Sequence, residues 1–140
     1  MILLDSDHIN VLQVKGTQAA VLSTHMSRSS DQDFATTAIT IEEQMRGWLA
    51  LIHQSTDVHR QIPAYERLVG LFDFFSRWQI APFDQTAADQ FKRLRRQKVR
   101  IGTMDLKIAS TALANQALLL SANLRDFLQV PNLRVENWLV

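Results

Sequence analysis

Apolar and polar residues fall along this chain in blocks whose period changes from one segment to the next. Met1-Ile-Leu-Leu4 is continuously apolar and stops on Asp5-Ser-Asp7, with no room for a helix before it, which reads as a buried strand ending on an acid. Ser6 to Val14 turns Ile9, Val11 and Leu12 inward as a short helix that Gly16 breaks. Thr17 is then placed as the cap of a second helix through about Arg28, with Ala20, Val21, Leu22 and Met26 on its apolar side. After a polar loop, Ser29 to Asp33, the partly β-branched run Phe34–Ile39 is a second strand. Thr40 followed by Glu43 has the spacing of a capping box, and Met45, Trp48, Leu49 and Ile52 continue the helix at helical spacing.

A long helix is predicted from about Val58 to Gln79, with Leu68, Leu71, Phe72 and Phe75 in one stripe, Phe74 and Trp78 beside it, and Pro63 as a kink or a start. Ile80–Phe83 is a strand whose Pro82 marks its end or a sheet edge. Thr86 with Asp89 opens a helix through about Lys98, burying Ala87, Phe91 and Leu94, and Gly102 or Thr103 opens the next, Met104 to Gln116. Ala117–Leu120 is a fully apolar strand, and Leu133–Val135 the last. Strands apolar throughout, each separated from the next by helix, predict one α/β domain over residues 1–140 whose parallel sheet is covered on both faces.

Composition narrows the function. A chain of 140 residues with 46% hydrophobic and 21% charged residues suits one globular domain. A net charge of +1 does not mark a strongly basic nucleic-acid binder, so any such role rests on local charge. The absence of cysteine excludes disulfides, thiolate metal sites and cysteine nucleophiles. With no basic leader and no apolar stretch near the ~20 residues that span a bilayer, a cytoplasmic protein without a membrane role is expected.

Four acids at element junctions carry the candidate chemistry: Asp5, Glu43, Asp105 and Asp126. Each also has a local explanation. Asp5 can cap the helix after it, Glu43 can complete a capping box with Thr40, Asp105 suits a first helical turn, and Asp126 stands three residues after Asn123. A parallel sheet, however, brings the residues that follow different strands to one edge. Carboxylates converging there repel one another unless a hard cation joins them, and Mg²⁺ or Mn²⁺ takes oxygen ligands and water. Such a site suits hydrolysis of a phosphodiester, and the lack of a glycine-rich phosphate loop disfavours nucleoside triphosphate chemistry. The basic run Lys92, Arg93, Arg95, Arg96, Lys98 and Arg100 precedes the Asp105 helix, and Arg46 and Arg125 lie near two of the acids; Arg46, Arg96, Lys98, Arg100 and Arg125 are the candidate RNA contacts. The histidines have no metal-ligand spacing, though His8 is close to Asp5.

Leu-Leu-Asp5-Ser-Asp7, Ile-Thr-Ile-Glu-Glu43-Gln-Met-Arg-Gly47, Ile-Gly-Thr103-Met-Asp105-Leu-Lys-Ile-Ala and Ser121-Ala-Asn123-Leu-Arg-Asp126-Phe127 together resemble the motifs of PIN-domain ribonucleases, in particular the VapC-type toxins of bacterial toxin–antitoxin pairs. The resemblance implies a five-stranded parallel sheet between helices and Mg²⁺- or Mn²⁺-dependent cleavage of RNA. It places Asp5, Glu43, Asp105 and Asp126 as the acidic set and Asp7, Thr103, Ser121 and Asn123 as supporting polar residues. It also implies a homodimer held inactive by a cognate antitoxin, and Phe72, Phe74, Phe75 and Trp78 suit either interface or packing on the sheet. Two other readings compete. A haloacid-dehalogenase-like phosphatase shares the strand–Asp5–Ser–Asp7 pattern but leaves Glu43 idle, and a PIN-like module that binds RNA or protein uses the acids only as helix caps.

Overall fold

The computed structural model describes residues 1–140. The strand β1 (Ile2–Leu4) is buried along its whole length because its side chains feed two cores alternately. Leu3 joins Ala35, Leu106, Ile108, Leu119 and Phe127 on one side of the sheet, while Ile2 and Leu4 join Ile9, Leu22, Leu71 and Phe75 on the other. A strand that serves two helical layers has no solvent face, so it reads as an unbroken apolar run.

Helices α1 (Ser6–Val14) and α2 (Thr17–Arg28) follow, then β2 (Phe34–Thr37), α3 (Ala38–Gln54), α4 (Val58–Phe75) and β3 (Gln79–Ala81). The second half comprises α5 (Gln85–Arg96), α6 (Thr103–Ala114), β4 (Leu118–Leu120), α7 (Leu124–Phe127) and β5 (Arg134–Glu136). The five strands form one parallel sheet in the order β3-β2-β1-β4-β5. Successive strands are laid to one side of β1 as far as β3, after which the chain crosses over and continues from β4 on the other side. That reversal leaves a crevice beyond the carboxyl ends of β1 and β4, where open α/β sheets bind their ligands. The register Leu4↔Leu120 sets Asp5 beside Ser121, and the Asp5 N–H donates to Leu120 O at 2.9 Å.

Several helix starts differ from the sequence expectation. β2 ends at Thr37, and Thr37 rather than Thr40 caps α3, its Oγ1 accepting the Thr40 N–H at 3.0 Å. Glu43 is therefore not half of a capping box. Gly16 holds the cap position of α2 without a side-chain bond, and Thr17 is simply its first residue. Asp84, not Thr86, caps α5 through the Ala87 N–H at 3.0 Å. Asp57 caps α4, which carries Pro63 inside it and stops at Phe75, because residues 79–81 are drawn into the sheet against β2. β3 is an edge strand, and Pro82 follows it directly, so both expectations for that proline hold together. No helix is long and apolar enough to cross a membrane.

Candidate functional site

Asp5 leaves β1 only 6% exposed. One carboxylate oxygen caps α1, accepting the Ser6 N–H at 2.7 Å, and the other accepts the Ser121 hydroxyl at 2.7 Å. Ser121 is fully buried, and its Oγ in turn accepts the Asn123 N–H at 3.0 Å. Burial lifts the Asp5 carboxyl from 3.8 to about 7, the Asp7 charge adds to this, the Ser121 and Ser6 bonds pull it back, and Asp105 pushes it up further.

Glu43 reaches the same edge from α3, with the Ser6 Oγ 3.4 Å from Oε1. Burial and then the charge of Asp105 raise its carboxyl above the usual range, against the Ser6 bond. Asp105 projects from the first turn of α6, whose cap position is Gly102 and makes no side-chain bond. Burial and then Asp126 raise Asp105 in the same way, and the Asn123 amide opposes the shift. Asn123 Nδ2 lies 3.2 Å from Asp105 Oδ2 and 3.1 Å from Asp126 Oδ2. Carboxylates only accept, so the amide must present its N–H₂ to both. Asn123 thus spaces two acids instead of capping α7 with its side chain.

Asp7 has a different environment. Its Oδ2 accepts the Ala122 N–H at 2.8 Å, with the Ser121 hydroxyl at 3.4 Å, and its Oδ1 lies 2.5 Å from His8 Nδ1. Burial alone would raise its carboxyl, but the bonds from His8 and Ala122 hold it below the usual range. His8 is fully buried, and its Nε2 accepts the Trp138 N–H at 3.2 Å, which assigns the proton to Nδ1. Asp7 and His8 therefore brace the start of α1 against the β4–α7 turn and the C-terminal segment. Nothing near His8 in the sequence signals this, since its partner Trp138 lies at the other end of the chain.

The remaining expected residues divide. Thr103 Oγ1 accepts from Arg95 Nη2 at 3.3 Å and bonds to none of the acids. Arg46 is exposed and pairs with Glu42 at 2.9 Å. Arg96, Lys98 and Arg125 are exposed. Arg100 lines an open groove of about 530 Å³ together with Arg95, Val99, Ile101, Gly102 and Asp126. Arg95 is the basic residue that a reading of the run as a whole does not single out.

No three histidine, aspartate or glutamate side chains stand close enough to make a ready metal cage. Apart from the Asp7–His8 contact, the ion pairs of the chain lie elsewhere, at Asp31 and Asp33 with the N-terminus, Glu42, Asp57 and Asp73. Asp5, Glu43 and Asp126 each lie within charge range of Asp105 without a cationic partner, and Asp5, Glu43 and Asp105 are raised by burial and by other carboxylates. This donor set does not fit an ion that needs a complete protein cage. What it suits is a hard cation held by one or two carboxylates that keeps several waters.

Known proteins resemble the chain in sequence and in fold. The family model described as PIN domain matches residues 3–133. Ribonuclease VapC2 of Rickettsia felis (strain ATCC VR-1525 / URRWXCal2) is 38% identical over 69 residues, 46% of this chain and 52% of that protein. The match thus spans about half the length of that curated relative. The crystal structure of VapBC2 from Rickettsia felis bound to a DNA fragment superposes with a TM-score of 0.68 at 26% identity, covering 99% of both chains. A toxin-antitoxin complex from Klebsiella pneumoniae shares the fold with a TM-score of 0.63 at 21% identity, covering 99% of this chain and 98% of its own.

Proposed function

The chain belongs to the PIN-domain family, and from that premise we propose that it is a metal-dependent endoribonuclease, the toxin of a toxin–antitoxin pair. The observation that carries the reading is the convergence of Asp5, Glu43 and Asp105 at the sheet crevice, each raised by burial and by its neighbours' charge, with no cation paired to them. Helix capping does not explain it, because Glu43 and Asp105 accept no capping bond. The likeness to a ribonuclease and to VapBC and toxin-antitoxin structures supports both the activity and a cognate antitoxin.

Asp5, Glu43, Asp105 and Asp126 are the residues that would hold Mg²⁺ or Mn²⁺. When bound, such an ion lowers the pKa of a water and screens charge on a phosphodiester. The chain's own polar residues set the stage for it. Ser121 fixes one Asp5 oxygen, Ser6 lies against Glu43, and Asn123 keeps Asp105 and Asp126 at a common distance from its amide. Asp7 is engaged by Ala122 and His8 and serves as a brace rather than a ligand.

A protein partner has a surface to meet. Val58, Ile62, Tyr65, Val69 and Phe72 run along α4 at alternating spacings of four and three, each between 48% and 68% exposed. Phe75 is buried in the core, so the aromatic cluster expected for an interface splits between inside and outside. We assign the exposed stripe to the antitoxin or to a second copy of the chain. The deciding experiment incubates the purified chain with total cellular RNA and Mg²⁺ or Mn²⁺ and maps the cut sites. Discrete metal-dependent cuts that EDTA abolishes are expected. Intact RNA, together with no uptake of either metal in titration, would assign the acids to a non-catalytic module.

A further inference from the structure

The basic run from Lys92 to Arg100 does not present one continuous charged face. Arg93 turns to Gln90, its Nη2 2.5 Å from the amide oxygen. Arg95 and Arg100 line the groove that ends on Asp126, and neither takes part in any ion pair. Arg95 is held in place twice over. Its guanidinium lies over the Phe91 ring, 4.9 Å from the centroid, and its Nη2 donates to Thr103 Oγ1 at 3.3 Å. A guanidinium pinned by one N–H and one aromatic face keeps most of its fork of donors free, and that fork matches the oxygens of a phosphate. Val99 and Ile101 give the groove an apolar wall, and Gly102 beside Thr103 adds no side chain to obstruct it. A groove with unpaired guanidiniums and an apolar wall suits a single strand, whose phosphates and base faces need both.

We propose that this groove is a phosphate-binding subsite for single-stranded RNA, in which Arg95 and Arg100 hold a backbone phosphate beside the carboxylate cluster and Thr103 is the positioning residue that aims Arg95. The subsite rests on the nuclease reading above, but its test does not depend on cleavage. Binding of a fluorescent single-stranded RNA of about 12 nucleotides is measured by anisotropy without divalent metal, over a salt series. Each phosphate neutralised on a single strand contributes about 0.7 to the slope of log affinity against log salt, so Arg95→Ala with Arg100→Ala, which releases that one phosphate, lowers the slope by about 0.7. Each substitution alone weakens binding about tenfold. Thr103→Val reproduces most of the Arg95 loss, and Thr103→Ser restores it.

All these side chains are exposed, so the variants keep the fold, which circular dichroism checks. Arg28→Ala with Arg60→Ala removes the same charge from α2 and α4 and leaves the slope unchanged. An unchanged slope in the Arg95/Arg100 variant, or an equal fall in the control pair, overturns the subsite. So does a variant that binds RNA as before and loses only an acidic peptide partner. In a parallel cleavage assay, wild-type protein that fails to cut overturns the nuclease reading while the salt slope still decides the subsite. Wild-type protein that cuts, with KM unmoved by the double substitution, overturns the subsite alone.

Discussion

In the folded chain the Asp5 carboxyl keeps its proton up to about pH 7, whereas its ordinary value, reached on unfolding, is 3.8. Between those values the folded state binds the extra proton, so stability falls as pH rises through the window, and the loss is complete above about pH 7. At about 1.4 kcal/mol per unit, a gap of roughly three units costs the metal-free protein about 4 kcal/mol at pH 8. Asp5→Asn removes the charge and keeps the shape. Its amide oxygen still accepts the Ser6 N–H, its N–H₂ faces Ser121 Oγ, and the Ser121 hydroxyl is free to turn to Asp7 Oδ2, already 3.4 Å away. Metal-free Asp5→Asn is therefore expected to melt about 12 °C above wild type at pH 8, taking roughly 3 °C per kcal/mol for a chain of this size, and close to wild type at pH 4. Thermal melts in EDTA from pH 4 to 8 measure this. Mg²⁺ then raises the wild-type melting temperature and not the variant's, closing the gap. A difference independent of pH, or a variant less stable than wild type at pH 8, would refute the reasoning.

Three further outcomes are expected. Asp105→Asn abolishes RNA cleavage, beyond the ~100-fold that changes around metal ligands cost, and removes toxicity in a growth test, while circular dichroism shows the fold intact and the metal-free melting temperature does not fall. Ser121→Ala leaves a buried Asp5 oxygen and the Asn123 N–H without their partner, destabilises by about 1–3 kcal/mol in denaturant melts, and shifts the acid limb of the pH–rate profile upward because the Ser121 bond holds Asp5 down. Val69→Glu with Phe72→Glu changes folding stability by no more than ~0.5 kcal/mol per site, since both side chains are exposed, but breaks association on size-exclusion chromatography of the chain alone or with its antitoxin.

Much of this architecture is legible in the sequence, because strands that feed two cores are apolar at every position and helices repeat at 3.6 residues. Boundaries fail where one apolar run spans two elements. Phe34 to Ile39 contains both the end of β2 and the start of α3, so Thr40 rather than Thr37 looks like the cap, and Glu43 inherits a capping role that it does not have. The short helix α7 covers Leu124–Phe127, barely more than one turn, and shows no period to read. Arg95 and Arg96 carry the same charge one residue apart on α5, and only the packing against Phe91 and Thr103 separates them.

The acids are the instructive case. Each has a local excuse in the sequence, yet only Asp5 caps a helix, and it does so with one oxygen while the other faces Ser121. Capping and a place in the site are thus compatible in one carboxylate, so finding the first never excludes the second. What sets Asp5 beside Ser121 is the pairing Leu4↔Leu120, and that pairing is held by the alternation of Ile2, Leu3 and Leu4 between two cores. A slip of one residue in β1 would turn every one of these side chains to the wrong layer. The hydrophobic pattern that stabilises the sheet is therefore the same constraint that fixes the geometry of the site at its edge.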